Sequence, residues 1–110
     1  YQVRDLVEQG SVPDAIFCTS DPKAFVVMHA LHDLGLRMPE DVAVIGVDNV
    51  SMASMVEPPL STISQHLHDM GVAAAKSLIR QIEYKDKYGE LPKPQRTIMN
   101  SDLIVRRSTN

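Results

Sequence analysis

The chain has 110 residues, of which 44% are hydrophobic and 23% are charged, so it can form one globular domain and is not a disordered chain. Its net charge of −3 gives no sign of a nucleic-acid-binding surface, and no apolar run approaches the roughly 20 residues that a membrane helix needs. A single cysteine, Cys18, excludes an intrachain disulfide and a cysteine-based zinc site. Because the chain begins at Tyr1 within a helical pattern, we expect a fragment of a longer protein.

The first part of the chain predicts helix, strand and helix in that order. Residues 1–9 have apolar side chains at helical spacing, and Ala15–Thr19 is a short apolar run that is typical of a strand. Asp21 followed by Pro22 predicts a helix start, with the aspartate at the N-cap and the proline in the first turn. The helix is expected to end near Leu34, because a glycine follows it.

The stretch Asp41–Asn49 is typical of an inner strand of a parallel sheet. It carries a run of branched apolar residues, Val42, Val44, Ile45 and Val47. A strand, a helix and a second strand with short connections form a right-handed crossover, which makes the two strands parallel. The sequence therefore predicts an α/β fold with a parallel sheet that is covered on both faces.

A long amphipathic helix is predicted after a short third strand over 60–63. Ser64 is expected to cap this helix, which continues to about Lys85. Its apolar stripe includes Leu67, Met70, Leu78 and Ile82. Burying four such side chains contributes up to about 6–12 kcal/mol, so we expect the stripe to pack on a second copy of the chain or to fold back on its own sheet.

The end of the chain is predicted to be less regular. Residues 88–96 contain a glycine and two prolines and indicate a loop, and Thr97–Val105 reads as a last strand. Arg106–Asn110 is expected to be a polar tail, and its basic pair, Arg106 and Arg107, is expected to be solvated rather than to form a nucleic-acid-binding patch.

Two polar side chains, Ser20 and Asp48, follow neighbouring predicted strands. The carboxyl ends of parallel strands lie side by side, at the edge where open α/β sheets bind ligands. With Asp21 occupied as a cap, Ser20 has the freer side chain, although Ser20 could cap instead and Asp48 could be an ordinary turn residue. A hydroxyl and a carboxylate suit binding of a neutral ligand with OH or NH groups better than catalysis.

Other candidate chemistry is weaker. Two clusters contain potential metal ligands: His29, His32 and Asp33, and His66, His68 and Asp69. Both are better explained as solvated helix surfaces, and Cys18 in an apolar strand is expected to be an inert buried thiol. No glycine-rich phosphate loop or catalytic triad is evident. We therefore predict no cofactor, no metal and no enzymatic activity.

Five segments together resemble the effector-binding domain of the LacI/GalR family of bacterial transcription regulators. They are PDAIFCTSD (13–21), LGLRMPEDVAVIGVDN (34–49), PPLSTI (58–63), MGVAA (70–74) and LIVRRST (103–109). Each segment alone is weak evidence, but their order and spacing are specific and cover nearly the whole chain.

The resemblance implies part of a two-lobed, type I periplasmic-binding-protein-like clamshell. Residues 1–63 and 93–110 would form the Rossmann-like C-terminal lobe, and 64–92 would belong to the N-terminal lobe. The intact protein would be a cytoplasmic homodimer that closes around a small effector. It would contact operator DNA only through an N-terminal helix-turn-helix head and would not contact a membrane.

The resemblance also implies two ligand contacts. Asp48 matches the carboxylate that grips effector hydroxyls or ring nitrogens, and Ser20 matches a position that is often asparagine in sugar-binding members. The expected effector is a sugar or a sugar derivative. The alternative is a periplasmic sugar-binding receptor of a transport system, and an enzyme is a distant third.

Overall fold

The computed structural model describes residues 2–110. In chain order its elements are helix α1 (Gln2–Glu8), strand β1 (Ala15–Phe17), helix α2 (Asp21–Asp33), strand β2 (Ala43–Val47), a 3-10 helix (Ser51–Ser54), strand β3 (Ser61–Ser64), helix α3 (Leu67–Tyr88) and strand β4 (Asp102–Ile104). Most of the predicted strands are shortened at their ends, and the last one keeps only three of its residues.

The strands form one sheet in the order β1-β2-β3-β4. The first three are mutually parallel, and β4 runs antiparallel to β3. This confirms the predicted α/β class with a parallel, Rossmann-like sheet and adds an antiparallel strand at one edge. The inner position of β2 also agrees with its run of valine and isoleucine.

The core lies between α2 and one face of the sheet. Ala24, Met28 and Leu31 of α2 are buried at helical spacing. They belong to a cluster that also contains Cys18, Val42, Val44, Ala53 and Leu60. The alternate residues of β2 are only half-buried, so the prediction that β2 is covered on both faces is wrong for this chain.

The C-terminal segment that was predicted as a polar tail is packed against the sheet. Ser108 is fully buried, and its hydroxyl accepts a hydrogen bond from the backbone N–H of Ser61 at 2.8 Å and donates one to the carbonyl of Val44 at 2.6 Å. This hydroxyl bridges β2 and β3 where their paired residues begin. We refer to this arrangement as the Ser108 joint.

Helix α3 begins later than predicted. Ser64 is the last residue of β3 and is buried, so it does not cap the helix; the N-cap is His66, with a φ of 50°. No residue of α3 is buried. The stripe residues are 38–59% exposed, and whether the stripe packs on a second copy or folds back on the sheet stays a prediction.

The chain divides into two compact units. One contains the residues up to Ser64 together with Asp102–Asn110, and the other is Gln65–Ser101. Whether the second unit belongs to another lobe in the intact protein stays a prediction. Among residues 2–110, no helix is both long enough and apolar enough to cross a membrane.

Candidate ligand-binding edge of the sheet

Ser20 and Asp48 follow β1 and β2 at equivalent positions of the register between these two strands. Phe17 and Ile45 are the last residues that pair β1 with β2, and each candidate lies three positions after its member of that pair. Because the strands are parallel, both residues lie at the carboxyl edge of the sheet, where open α/β folds bind ligands. Both are half-buried.

The start of α2 differs from the prediction by one residue. Ser20 is the N-cap, with extended backbone, and its carbonyl accepts a hydrogen bond from the N–H of Ala24 at 3.1 Å. Its side chain makes no capping hydrogen bond. Asp21, which the sequence suggested as the cap, is instead the first residue of the helix and is fully buried.

The Asp21 carboxylate is bound to the chain that follows β2. Its Oδ2 accepts a hydrogen bond from the backbone N–H of Val50 at 2.8 Å, and its Oδ1 accepts one from the hydroxyl of Thr62 at 2.6 Å. The oxygen of that hydroxyl accepts the backbone N–H of Asn49 at 3.3 Å. A buried carboxylate in the first turn of a helix is also favoured by the partial positive charge of the helix N-terminus.

Gly46 allows this carboxylate to approach the sheet. A Cβ atom at position 46 would lie well inside van der Waals contact with Oδ1 of Asp21, and 3.3 Å from its Cα atom. The same Cβ atom would lie 3.1 Å from Cδ2 of Leu60. Glycine is therefore needed here for close packing of α2 on β2, which places Asp21 beside the end of the strand.

Residues 48–50, which we call the Asp48 turn, have an unusual backbone. Asp48 and Asn49 have φ values of 111° and 53°, in the region of positive φ that residues other than glycine rarely adopt. The N–H of Asp48 donates to the carbonyl of Ile63 at 2.8 Å and continues the pairing of β2 with β3.

Arg106 holds the Asp48 turn from the C-terminal segment. Its guanidinium donates to Oδ1 of Asn49 at 2.9 Å and to the carbonyl of Leu60 at 2.8 Å. Arg106 is half-buried, so the prediction that it is simply solvated is wrong. Its neighbour Arg107 is exposed and forms an ion pair with Glu57.

The other candidate chemistry is not assembled into a site. Among residues 2–110, no group of three histidine, cysteine, aspartate or glutamate residues is arranged to hold a metal ion. The Nε2 atom of His29 lies 3.6 Å from Oδ2 of Asp33, and both side chains are substantially exposed. Burial raises the pKa of the Cys18 thiol, which favours the unreactive protonated form.

An open α/β sheet with polar residues at the carboxyl edge of its parallel strands is typical of proteins that bind small ligands. The family model described as a periplasmic binding protein-like domain matches residues 1–109. The chain therefore belongs to the periplasmic binding protein-like domain family.

Relatives within this family are transcriptional regulators. A ribose operon repressor from Halalkalibacterium halodurans is 36% identical over 109 residues, which cover 96% of this chain and 30% of that protein. The structure of the transcriptional regulator CelR in complex with cellobiose has 34% identity and a TM-score of 0.84, covering 96% of this chain and 31% of that chain. The lac repressor dimer bound to operator and the anti-inducer ONPF has 27% identity and a TM-score of 0.82, covering 98% and 31%.

These comparisons confirm the predicted resemblance to LacI/GalR regulators. The chain spans about 30% of the length of the curated relatives that it matches. The sequence did not reveal the polar groups behind the Asp48 turn, namely Asp21, Thr62 and Arg106. One signal was present: a serine and a threonine inside the short strand after Pro59 indicate buried hydroxyls that need partners.

Proposed function

We propose that this chain supplies one wall of the effector cleft of a LacI-type transcriptional regulator. Asp48 and Ser20 contact a small effector, a sugar or a sugar derivative, and the carboxylate accepts hydrogen bonds from its hydroxyl groups. The observation that carries the proposal is the Asp48 turn: two consecutive positive φ values at the ligand-binding edge of the sheet. Backbone of this kind is costly and is found mainly at functional sites.

Effector binding acts by closing a clamshell. In this proposal residues 1–63 and 93–110 form one lobe, and 64–92 belong to the lobe on the other side of the effector. A ligand that contacts both lobes favours the closed state by the difference between its affinities for the closed and the open states. That free energy is then available to change the affinity of a distant DNA-binding head.

The proposed assembly is a cytoplasmic homodimer that contacts operator DNA through a separate N-terminal head. The lac repressor structure, which is a dimer on operator, supports this assembly. A groove of about 1020 Å³ between α1 and α2 also supports it, because it is lined mainly by apolar side chains. Val26 lies on this surface and is 70% exposed. The relatives compared above are regulators, which favours this function over a transport receptor or an enzyme.

Replacing the carboxylate tests the effector contact. In the protein at its natural length, Asp48→Ala is expected to weaken binding of whichever probe the unmodified protein binds, ribose or cellobiose, by about 10–100-fold. This is the loss expected for hydrogen bonds to a charged group. Affinity is measured by calorimetry, and release from operator DNA by fluorescence anisotropy.

The matched control is Asp14→Ala. Asp14 is exposed and precedes β1, at the opposite edge of the sheet, so the variant removes the same charge far from the proposed cleft. Its sugar affinity should equal that of the unmodified protein. Equal affinities for Asp48→Ala and Asp14→Ala would refute the assignment of Asp48.

A further inference from the structure

We infer that Asp21 and Thr62 are positioning residues for Asp48. They hold the backbone after β2 in the conformation that presents the Asp48 side chain at the carboxyl edge of the sheet. The inference rests on the proposed function, because it concerns how the proposed effector contact is oriented. Neither positioning residue has to touch the effector.

The first step concerns burial. The side chain of Asp21 is 0% exposed, and a carboxylate in that environment needs hydrogen-bond donors, since burying an unpaired charge is very unfavourable. One of its donors is the backbone N–H of Val50, within the Asp48 turn. The desolvation of Asp21 is therefore compensated in part by the N–H that the turn brings to the carboxylate.

The second step concerns the direction of the Thr62 hydrogen bonds. An ionised carboxylate can only accept, so it orients the Thr62 proton toward Asp21 Oδ1. The hydroxyl oxygen is then available to accept the N–H of Asn49. Asp21 thus acts on the turn twice, directly at Val50 and through Thr62 at Asn49.

The third step concerns the cost of the turn. Each residue in a sparsely populated backbone region persists only where its surroundings determine it. Asp48 and Asn49 are both in such a region. The hydrogen bond to Thr62 holds the backbone at Asn49, and the hydrogen bond to Asp21 holds it at Val50. The conformation that presents Asp48 therefore depends on these two buried side chains.

The test compares two deletions of buried hydroxyls. Thr62→Val keeps the shape of the side chain and removes the hydroxyl next to the Asp48 turn, whereas Ser108→Ala removes a hydroxyl that contacts Val44 and Ser61 instead. The protein at its natural length is labelled with ¹³C aspartate and kept free of ligand. The Cα and Cβ signals of Asp48 report its backbone conformation.

We expect Thr62→Val to move the Asp48 signals and to accelerate amide exchange at Asn49 and Val50 by about tenfold or more. Thr62→Ser keeps the hydroxyl and should leave the signals in place. Asp21→Asn is the second variant, which keeps the side-chain shape but replaces one acceptor oxygen by a donor, and it should act in the same direction as Thr62→Val. Ser108→Ala should not move the Asp48 signals.

Either of two spectroscopic results would overturn the inference. One is an unchanged Asp48 signal in both Thr62→Val and Asp21→Asn, and the other is an equal displacement in Ser108→Ala. The proposed function is judged separately, by sugar binding to Asp48→Ala, and the spectra need no ligand. Where the unmodified protein binds ribose or cellobiose, Thr62→Val should weaken that binding and Ser108→Ala should not; equal affinities of these two variants would also overturn the inference.

Discussion

Two buried hydroxyls serve different ends of the same pair of strands. Ser108 bridges β2 and β3 where their pairing begins, and it contacts backbone groups of Val44 and Ser61. Thr62 contacts Asp21 and Asn49, beside a turn whose backbone is in an unfavourable region. Both residues are fully buried, and each hydroxyl makes two hydrogen bonds.

The difference lies in what the hydrogen bonds maintain. At the Ser108 joint they satisfy backbone groups of ordinary strands, so their contribution is to stability alone. At the Asp48 turn they maintain a conformation that the chain would not adopt by itself. The same chemical group therefore stabilises the sheet in one place and shapes a proposed binding residue in the other.

The largest expected effect is on the Ser108 joint. Ser108→Ala should lower the free energy of unfolding by about 2–4 kcal/mol, because it leaves a buried N–H of Ser61 and a buried carbonyl of Val44 without this partner. Urea denaturation measures the loss. Ser54→Ala is the control, since the Ser54 hydroxyl also donates to a backbone carbonyl but is exposed, and its change should stay within about 0.5 kcal/mol. Equal losses in the two variants would contradict the structural role of Ser108.

The second effect is on the Asp48 turn. Asp48→Gly should be more stable than Asp48→Ala, although both variants should bind sugar more weakly than the unmodified protein. Asp48→Gly and Asp48→Ala both remove the carboxylate, but only glycine adopts a φ of 111° without strain. Glycine should relieve about 1–3 kcal/mol of backbone strain, and the greater freedom of the unfolded glycine chain should offset about 0.4–1 kcal/mol of this gain. The glycine variant should therefore be more stable than the alanine variant by about 1 kcal/mol. Thermal unfolding compares the two variants, and both are expected to bind the sugar probe about 10–100-fold more weakly than the unmodified protein.

The same pair of substitutions at Asp14 is the control for this comparison. Asp14 is not among the described residues with positive φ, so Asp14→Gly should be no more stable than Asp14→Ala. If glycine were also the less stable choice at position 48, the backbone there would not be strained. The turn would then need no support from Asp21 and Thr62.

The sequence predicted the sheet better than it predicted the groups that complete it. Local patterns are enough to identify β2 and α2, because valine-rich runs and helical spacing are properties of neighbouring residues. They also bring Ser20 and Asp48 to one edge, since parallel strands fix where their ends lie. The partners of Asp21 could not be predicted, because Val50 and Thr62 are distant in sequence and meet it only after folding.

The C-terminal segment shows the same limit. Arg106 and Ser108 lie in a short stretch that composition alone indicates to be a polar tail. Their contacts with Asn49 and Val44 span more than half of the chain, and no local pattern encodes them. A buried polar side chain needs a hydrogen-bond partner, but the sequence does not say which residue provides it.

The smallest expected effect concerns an exposed polar pair at the start of β2. Asp41 accepts three hydrogen bonds from Arg37, one from its backbone N–H at 2.8 Å and two from its guanidinium at 3.0 and 3.1 Å. The hydrogen bonds and charge of Arg37 hold the pKa of the Asp41 carboxyl below its ordinary value. The stabilisation is therefore present above the unfolded pKa, near pH 4, and is lost as pH falls through the lower folded value.

Arg37→Met tests this pair by removing the guanidinium and keeping much of the apolar stem. It should lower the thermal midpoint slightly at about pH 7, and the difference from the unmodified protein should disappear in acid, once Asp41 is protonated in both. Asp41→Asn should show the same convergence. A difference that persists in acid would mean that Arg37 acts through packing.

The pair makes more hydrogen bonds than either buried hydroxyl, yet the Arg37 side chain is 71% exposed, so water competes for its contacts and screens its charge. Burial, and not the number of hydrogen bonds, is therefore expected to order the three effects.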